Sequence, residues 1–265
     1  MKTGPQKQPL TDSDVISPTS VSGTQLAEKV PSQWSVLLIR NYALLFWGQL
    51  ISSAGTQMQI VAVAWQVYVL THSAIALGLI GLVQAVPRLI FSLIGGIFAD
   101  VFDRRKMLLV IEATMATMSA ILALCTLFHV INMFIIYVVV LVSAIVSAFE
   151  FPTRQAMIPT LVPREQMANA ISLSTVMVQL TFIIGATAGG FVVGWLGIVD
   201  TYWIDVFSYF VVIGSLLLMV VPRVPLEKRA QADIGAFRDG IRFLRKHPVI
   251  LAVLSLDFFA TFFGS

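Results

Sequence analysis

Charge is scarce in this sequence. Only 12% of its residues are Asp, Glu, Lys or Arg, 57% are hydrophobic, and the mean hydropathy is +0.88. Soluble domains are nearer a quarter charged, so a water-exposed globular protein is excluded. Cysteine is nearly absent. The single Cys125 lies deep in an apolar run, which rules out an intrachain disulfide and gives no signal of compartment. Also missing are a glycine-rich phosphate loop, an H-E-x-x-H helix and a G-x-S-x-G elbow. ATP-driven transport by this chain and the common hydrolase mechanisms therefore have no support. No clustered acid, base and nucleophile points to a membrane enzyme. His72 and His129 stand near the ends of apolar runs, and as loop histidines they are expected to hold no metal. No cofactor and no nucleic-acid partner is expected.

What the chain has in abundance is long apolar runs. A membrane-crossing helix needs about 20 predominantly apolar residues, because the hydrocarbon core is about 30 Å thick. Six such runs are complete: Leu44–Leu70, Ala74–Val101, Met107–Phe128, Asn132–Phe151, Met167–Leu196 and Tyr202–Val221. A seventh begins near Val249 and is cut short at Ser265. The runs are too long and too uniform for barrel strands, which alternate. All are expected to be helices, since each backbone polar group in lipid must be satisfied within its own segment.

The remaining segments are polar. Residues 1–35 are rich in Ser, Thr, Gln and Pro and have no period, as expected of a disordered tail. Residues 222–247 place Ile234, Phe237, Ile241 and Leu244 on one helical face, with Arg238, Arg242 and Arg245 elsewhere. This predicts an amphipathic linker helix on the membrane surface. The domain plan is thus a tail (1–35), a six-span bundle (36–221), a linker helix (222–247) and a partial seventh span (248–265).

Lys and Arg set the orientation. Connections 71–73, 129–131 and 197–201 contain none. The opposite side holds Arg40, Arg104, Arg105, Lys106, Arg154, Arg164 and the basic linker. The N-terminus is therefore expected on the cytoplasmic side of a bacterial plasma (inner) membrane. Trp65, Tyr68, Trp195, Tyr202 and Trp203 mark the expected outer interface.

Polar residues inside the spans are the candidates for function. Gln49, Ser52, Ser53, Thr56, Gln59 and Gln66 share one face of the first span. Polar groups facing lipid are costly. The face either bonds to other helices or lines a polar cavity, and the length of the stripe favours the cavity. Arg88 follows Pro87 near the middle of the second span, where a charge costs about 2.5–3.5 kcal/mol on insertion scales. Pro87 frees a carbonyl upstream that is expected to satisfy the guanidinium locally. Glu112 lies early in the third span. Glu150 and Arg154 are spaced i,i+4 and read as a structural or gating pair. Asp205 reads as a satisfied carboxylate at a helix start near the outer surface. In the fifth span, Gly185 with Gly189 and Gly190 with Gly194 form two small-xxx-small pairs that permit close helix crossing.

Between the second and third spans stands "GGIFADVFDRRKML", residues 95–108. Six spans, a basic connection and a seventh span form the layout of the first half of the major facilitator superfamily, and this stretch is similar to that family's motif after helix two. The matching residues are Gly96, Ala99, Asp100, Arg104 and Arg105; Asp103 stands where a second glycine is usual. The Asp-Arg-Arg form and "FPTRQAMIPTLVPREQMANA" (151–170) resemble the drug and siderophore efflux branch, which includes the enterobactin exporter and the lysophospholipid transporter. The family's antiporter motif has a proline after the first glycine of span five, where this chain has Ala186.

The resemblance implies an all-α membrane protein built as the six-helix N-terminal bundle of that fold. It implies alternating-access export of amphipathic small molecules such as drugs or siderophores, with protons as the coupling ion. On that reading Gln49, Ser52, Ser53, Thr56 and Gln59 line the path, with Arg88 near its centre. Asp100, Arg104, Arg105, Glu150 and Arg154 form a cytoplasmic latch. The partners implied are the substrate, protons, lipids, and a missing C-terminal half or a second copy. Lysophospholipid transport is one alternative, and a non-transporting membrane fragment or interaction subunit is another. A bare charge anchor on the cytoplasmic side is the simpler account of the motif.

Overall fold

The computed structural model describes residues 33–220 except Phe102, with residues 92–101 described by their backbone alone. The expected linker helix, the partial seventh span and nearly all of the tail lie outside the described residues. Gln33–Ser35, assigned to the tail from sequence, instead open a 3-10 helix, Gln33–Leu38, whose Val36 is buried. Six α-helices follow: α1 Arg40–Thr71, α2 Ala74–Val101, α3 Arg104–Leu127, α4 Met133–Leu161, α5 Met167–Trp195 and α6 Ile198–Leu218. No strand occurs among the described residues.

Helices α2 to α6 are each long and apolar enough to cross a membrane. At 32 residues α1 has the length, but its polar stripe dilutes its hydropathy. The outer surface carries exposed Leu82, Leu89, Phe182, Phe191, Phe207 and Leu217. That inversion is expected where lipid, not water, is the solvent.

Helix α4 departs most from the sequence expectation. It runs ten residues past Phe151, through Pro152 and Pro159. Each proline removes one ladder bond, and membrane helices tolerate this where neighbouring groups re-satisfy the backbone. The carbonyls left without an amide donor are those of Ala148 and Gln155; one residue beyond each, Thr153 Oγ1 donates to the Phe149 carbonyl at 2.5 Å and Arg104 Nη1 donates to the Ala156 carbonyl at 2.7 Å. Helix α6 begins four residues before the expected Tyr202, just after Gly197, whose φ of 95° suits glycine.

Packing has an internal symmetry. Helix α1 lies against α5 and α6, α4 lies against α2 and α3, and α3 meets α6. Exchanging α1 with α4, α2 with α5 and α3 with α6 maps this set onto itself. Because α1 and α4 run in opposite directions, the relation is that of an inverted three-plus-three repeat. Two apolar clusters form the core. One gathers Tyr42, Leu45, Leu108, Met157, Ile158 and Leu216 at the end bearing Arg104–Lys106. The other gathers Val63, Val67, Leu122, Ile136, Val140 and Tyr202 at the opposite end. Between them lies a buried polar layer: Gln49, Ser52 and Gln59 of α1, Glu112 and Ser119 of α3, and Asp205 of α6.

Candidate functional site

The polar stripe of α1 is divided among its neighbours. Gln49 Nε2 donates to Glu150 Oε1 on α4 at 2.5 Å and lies 3.5 Å from Ser53 Oγ. Ser52 Oγ donates to Glu112 Oε2 on α3 at 3.4 Å. The Thr56 hydroxyl meets the Tyr209 hydroxyl of α6 at 2.9 Å. Gln66 Oε1 accepts from Tyr202 at 2.7 Å, and its Nε2 donates to Thr126 at 2.9 Å. Tyr202 is therefore fully buried, not an outer-interface anchor, because its hydroxyl has a partner inside the bundle. Much of the stripe thus bonds between helices, as the simpler sequence reading expected.

A shallow, open concavity remains between α1, α2 and α4, with α3 at its back. Thr56, Gln59, Gln84, Arg88 and Ser143 line its polar wall; Ile60, Val63, Met115, Leu122, Val139 and Val140 line the rest. Arg88 is the one charged residue among these. It is exposed, and its Nε donates to Ser147 Oγ on α4 at 3.3 Å. It therefore reaches across to α4 instead of finding the local carbonyl that Pro87 was expected to free. Gln59, Gln84 and Ser143 have no side-chain hydrogen bond to any other described residue. A second, smaller recess lies between α1, α4 and α5, lined by Tyr42, Gln49, Arg154, Ser174 and Met177 among others. The exchange of α1 with α4 and α2 with α5 relates the helices of one recess to those of the other.

The structure divides the expected latch residues into two groups. Arg105 Nε and Nη2 donate to the carbonyls of Leu216 and Leu217 at 2.8 and 2.9 Å, in the last turn of α6. Helix C-termini leave unpaired carbonyls and a partial negative charge, which a guanidinium satisfies. Arg104 adds a donor to the Ala156 carbonyl of α4, five residues before that helix ends. Asp103, in the place of the usual glycine, caps α3: its Oδ1 accepts from the amides of Arg105 and Lys106 at 3.2 and 3.3 Å. These charges join the start of α3 to α4 and to the end of α6 within this bundle. Glu150 and Arg154 stand deeper, 3.8 Å apart, with Gln49 on the carboxylate and Arg154 5.8 Å from the centre of the Phe151 ring. The backbone of Gly96 and Asp100 is helical, and the Asp100 side chain lies outside the described residues.

A family model described as a transmembrane secretion effector, one of the major facilitator group, matches residues 31–265. The chain belongs to the major facilitator superfamily. It is 24% identical to the multidrug efflux pump Tap of Mycolicibacterium fortuitum, over 82% of this chain and 55% of the relative. It is 27% identical to the staphyloferrin A transporter of Staphylococcus aureus, over 64% of this chain and 41% of the relative. It is 25% identical to the enterobactin exporter of Salmonella choleraesuis, over 79% of this chain and 50% of the relative. The chain spans about half the length of the relatives it matches. It is a multi-pass membrane protein of a transporter family.

Within this major facilitator bundle the two glycine pairs of α5 behave differently. A Cβ on Gly185 would lie 2.8 Å from Gln57 Cβ and 3.0 Å from the Ala54 carbonyl; on Gly189 it would lie 2.8 Å from Met58 Cα. Both glycines press on the α1 backbone. Gly190 and Gly194 meet nothing within 4 Å among the described residues, since they face away from α1. The crossing expected of that second pair is not seen there. Asp205 also differs from expectation. It is fully buried, two turns into α6, because the helix starts earlier than its apolar run suggested. Sequence reading also left Gln84 and Ser143 out of the path. The signal was there: Gln84 and Arg88 on α2, and Ser143 and Ser147 on α4, are i,i+4 pairs that share a helix face.

Proposed function

We propose that the chain forms one of two bundles of a secondary active transporter, which exports amphipathic small molecules in exchange for protons by alternating access. The second bundle comes from further chain or from a second copy. The end bearing Arg104–Lys106 faces the cytoplasm, by the distribution of Lys and Arg. The observation that carries the reading is the concavity between α1, α2 and α4. One wall is apolar, and the other offers Gln59, Gln84 and Ser143, whose side chains have no hydrogen-bond partner among the described residues, beside the Arg88 cation. An amphipathic molecule satisfies both walls at once. Relatives described as efflux pumps and as a siderophore exporter support export as the direction. Arg88 beside an apolar wall also suits a lysophospholipid phosphate, the second reading.

The test is efflux by the full-length gene product in a host stripped of its main exporters. A panel of amphipathic dyes and a labelled lysophospholipid serve as probes, with and without a protonophore. The expected result is protonophore-sensitive export of at least one probe. Replacing Arg88→Gln removes a charged hydrogen-bond donor worth about 1.5–3 kcal/mol, which lowers transport efficiency about tenfold or more. Arg88→Lys is expected to retain part of it. Export of no probe by the wild type would leave a non-transporting membrane protein as the better account.

A further inference from the structure

Behind the concavity, α1 packs on α6 at Gly55, and one turn earlier Ser52 bonds to Glu112 of α3. A Cβ on Gly55 would lie 2.8 Å from Asp205 Oδ1 and nearly on the Ser208 hydroxyl, so the bare glycine makes room for the carboxyl. Asp205 is fully buried, and neither of its carboxyl oxygens has a hydrogen-bond partner among the described residues. The hydroxyls of Ser119 and Ser208 stand beside it, but they donate to the carbonyls of Tyr202 and Asp205 at 3.2 and 2.7 Å. Nearer the basic end, Glu112 is 1% exposed; its Oε2 accepts from Ser52, and its Oε1 has no partner among the described residues.

The groups that face this pair can be named helix by helix. Helix α1 offers Ser52, Gly55 and Thr56, none of them charged. Helix α4 offers Glu150 and Arg154 toward Glu112, and α6 offers Tyr202 and Tyr209 toward Asp205. Among the described residues Glu112 and Glu150 therefore share the Arg154 guanidinium, which lies against Glu150, and Asp205 has no cation beside it. An ionised carboxylate buried without a partner costs several kcal/mol or more. A bound proton removes that cost and turns an unsatisfied acceptor into a donor.

We infer that Glu112 and Asp205 form a proton-binding site at the junction of α1, α3 and α6, separate from the substrate concavity. The inference rests on the export reading above and supplies its coupling residues. Each carboxyl takes up one proton on its free oxygen and releases it as H⁺, with no other bond made or broken. The released state leaves a carboxylate that the closed junction cannot satisfy, so it favours a conformation in which α1 moves from α3 and α6. Thr56 links the two places, since it lines the concavity and meets Tyr209 beside Asp205.

The first test reads the proton itself. Infrared difference spectra of the full-length gene product are recorded as pH is raised, for wild type, Glu112→Gln, Asp205→Asn and the double variant. The wild type is expected to lose a protonated-carboxyl C=O band. Each single variant removes part of that band, and the double variant removes both parts. An unchanged band in the variants, or none in the folded wild type, overturns the inference. This result stands whether or not any dye is exported, so it fails separately from the transport reading. The second test uses a dye that the wild type accumulates in proteoliposomes under an imposed pH gradient. Asp205→Asn is expected to lose gradient-driven accumulation to the level of empty liposomes while keeping dye-for-dye exchange at equal pH. Loss of both activities together would show a structural role only and overturn the coupling.

Discussion

Adjacent glycines of α5 are expected to respond in opposite directions to the same methyl group. At Gly189 the new Cβ would stand 2.8 Å from Met58 Cα, 3.3 Å from Val61 Cβ and 3.4 Å from Met58 Cβ. Carbon atoms pack best at about 3.5–4.0 Å. The nearest obstacle is α1 backbone, which cannot swing aside as a side-chain tip would. Helices α1 and α5 must therefore separate by about 0.7 Å or more along this contact. Overpacking of this kind costs about 1–3 kcal/mol. Exchanging glycine for alanine within a helix returns about 0.5–1 kcal/mol. The net for Gly189→Ala is a loss of about 1–2 kcal/mol, which lowers the melting temperature by about 2–8 °C for a chain of this size. At Gly190 nothing lies within 4 Å among the described residues, so only the helix term remains. Gly190→Ala is expected to raise the melting temperature by up to about 4 °C. Thermal melts of residues 1–265 in detergent, followed by circular dichroism, provide the measurement. Equal shifts for the two variants would refute the close α1–α5 contact.

Two further predictions concern the charged turn. Removing the cap in Asp103→Ala is expected to destabilise α3 by about 1 kcal/mol, and Asp103→Asn, which keeps an acceptor, is expected to restore most of it in the same melts. For orientation, single cysteines at the exposed positions Lys106 and His129, in a Cys125→Ala background, are expected to react oppositely with an impermeant thiol reagent added outside sealed cells. Labelling at position 106 and protection at position 129 would invert the topology.

Hydrophobic run length made the helices legible, because lipid selects for it directly. The ends were less so. Pro152 reads as a stop by the rules of soluble helices, yet α4 passes through it, with Arg104 reaching a carbonyl of the turn beyond from far away in the sequence. The spacing of Gln49, Ser52, Thr56, Gln59 and Gln66 revealed a face of α1. It did not reveal that Gln66 serves Tyr202 and Thr126 while Gln59 is left open to the concavity. Each partner lies on another helix, and a single-helix period carries no information about it. Asp205 shows the same limit. Its burial depends on Gly55 lacking a side chain, a relation between α1 and α6 that neither helix displays alone. The Arg-Arg pair was visible as charge, but the contact of Arg105 with α6 follows from where that helix terminates.

The position of α1 explains why one helix carries most of the polar residues. It packs on α5 through Gly185 and Gly189, on α6 through Gly48 and Gly55, and it borders both recesses. At those glycine contacts little side-chain bulk interlocks, so α1 can shift there with few rotamer changes. Polar partners on its other sides then set where it rests: Glu150 through Gln49, Glu112 through Ser52, and Tyr209 through Thr56. Two of those partners are carboxyl groups, whose hydrogen-bonding capacity changes when a proton is gained or lost. Under the proposed mechanism the resting place of α1 therefore depends on proton occupancy on one side and on a substrate at Thr56 and Gln59 on the other. A ligand shifts such an equilibrium only by its difference in affinity between the two positions. Coupling accordingly requires that α1, and not an outlying helix, border both sites, and that is where the structure places it.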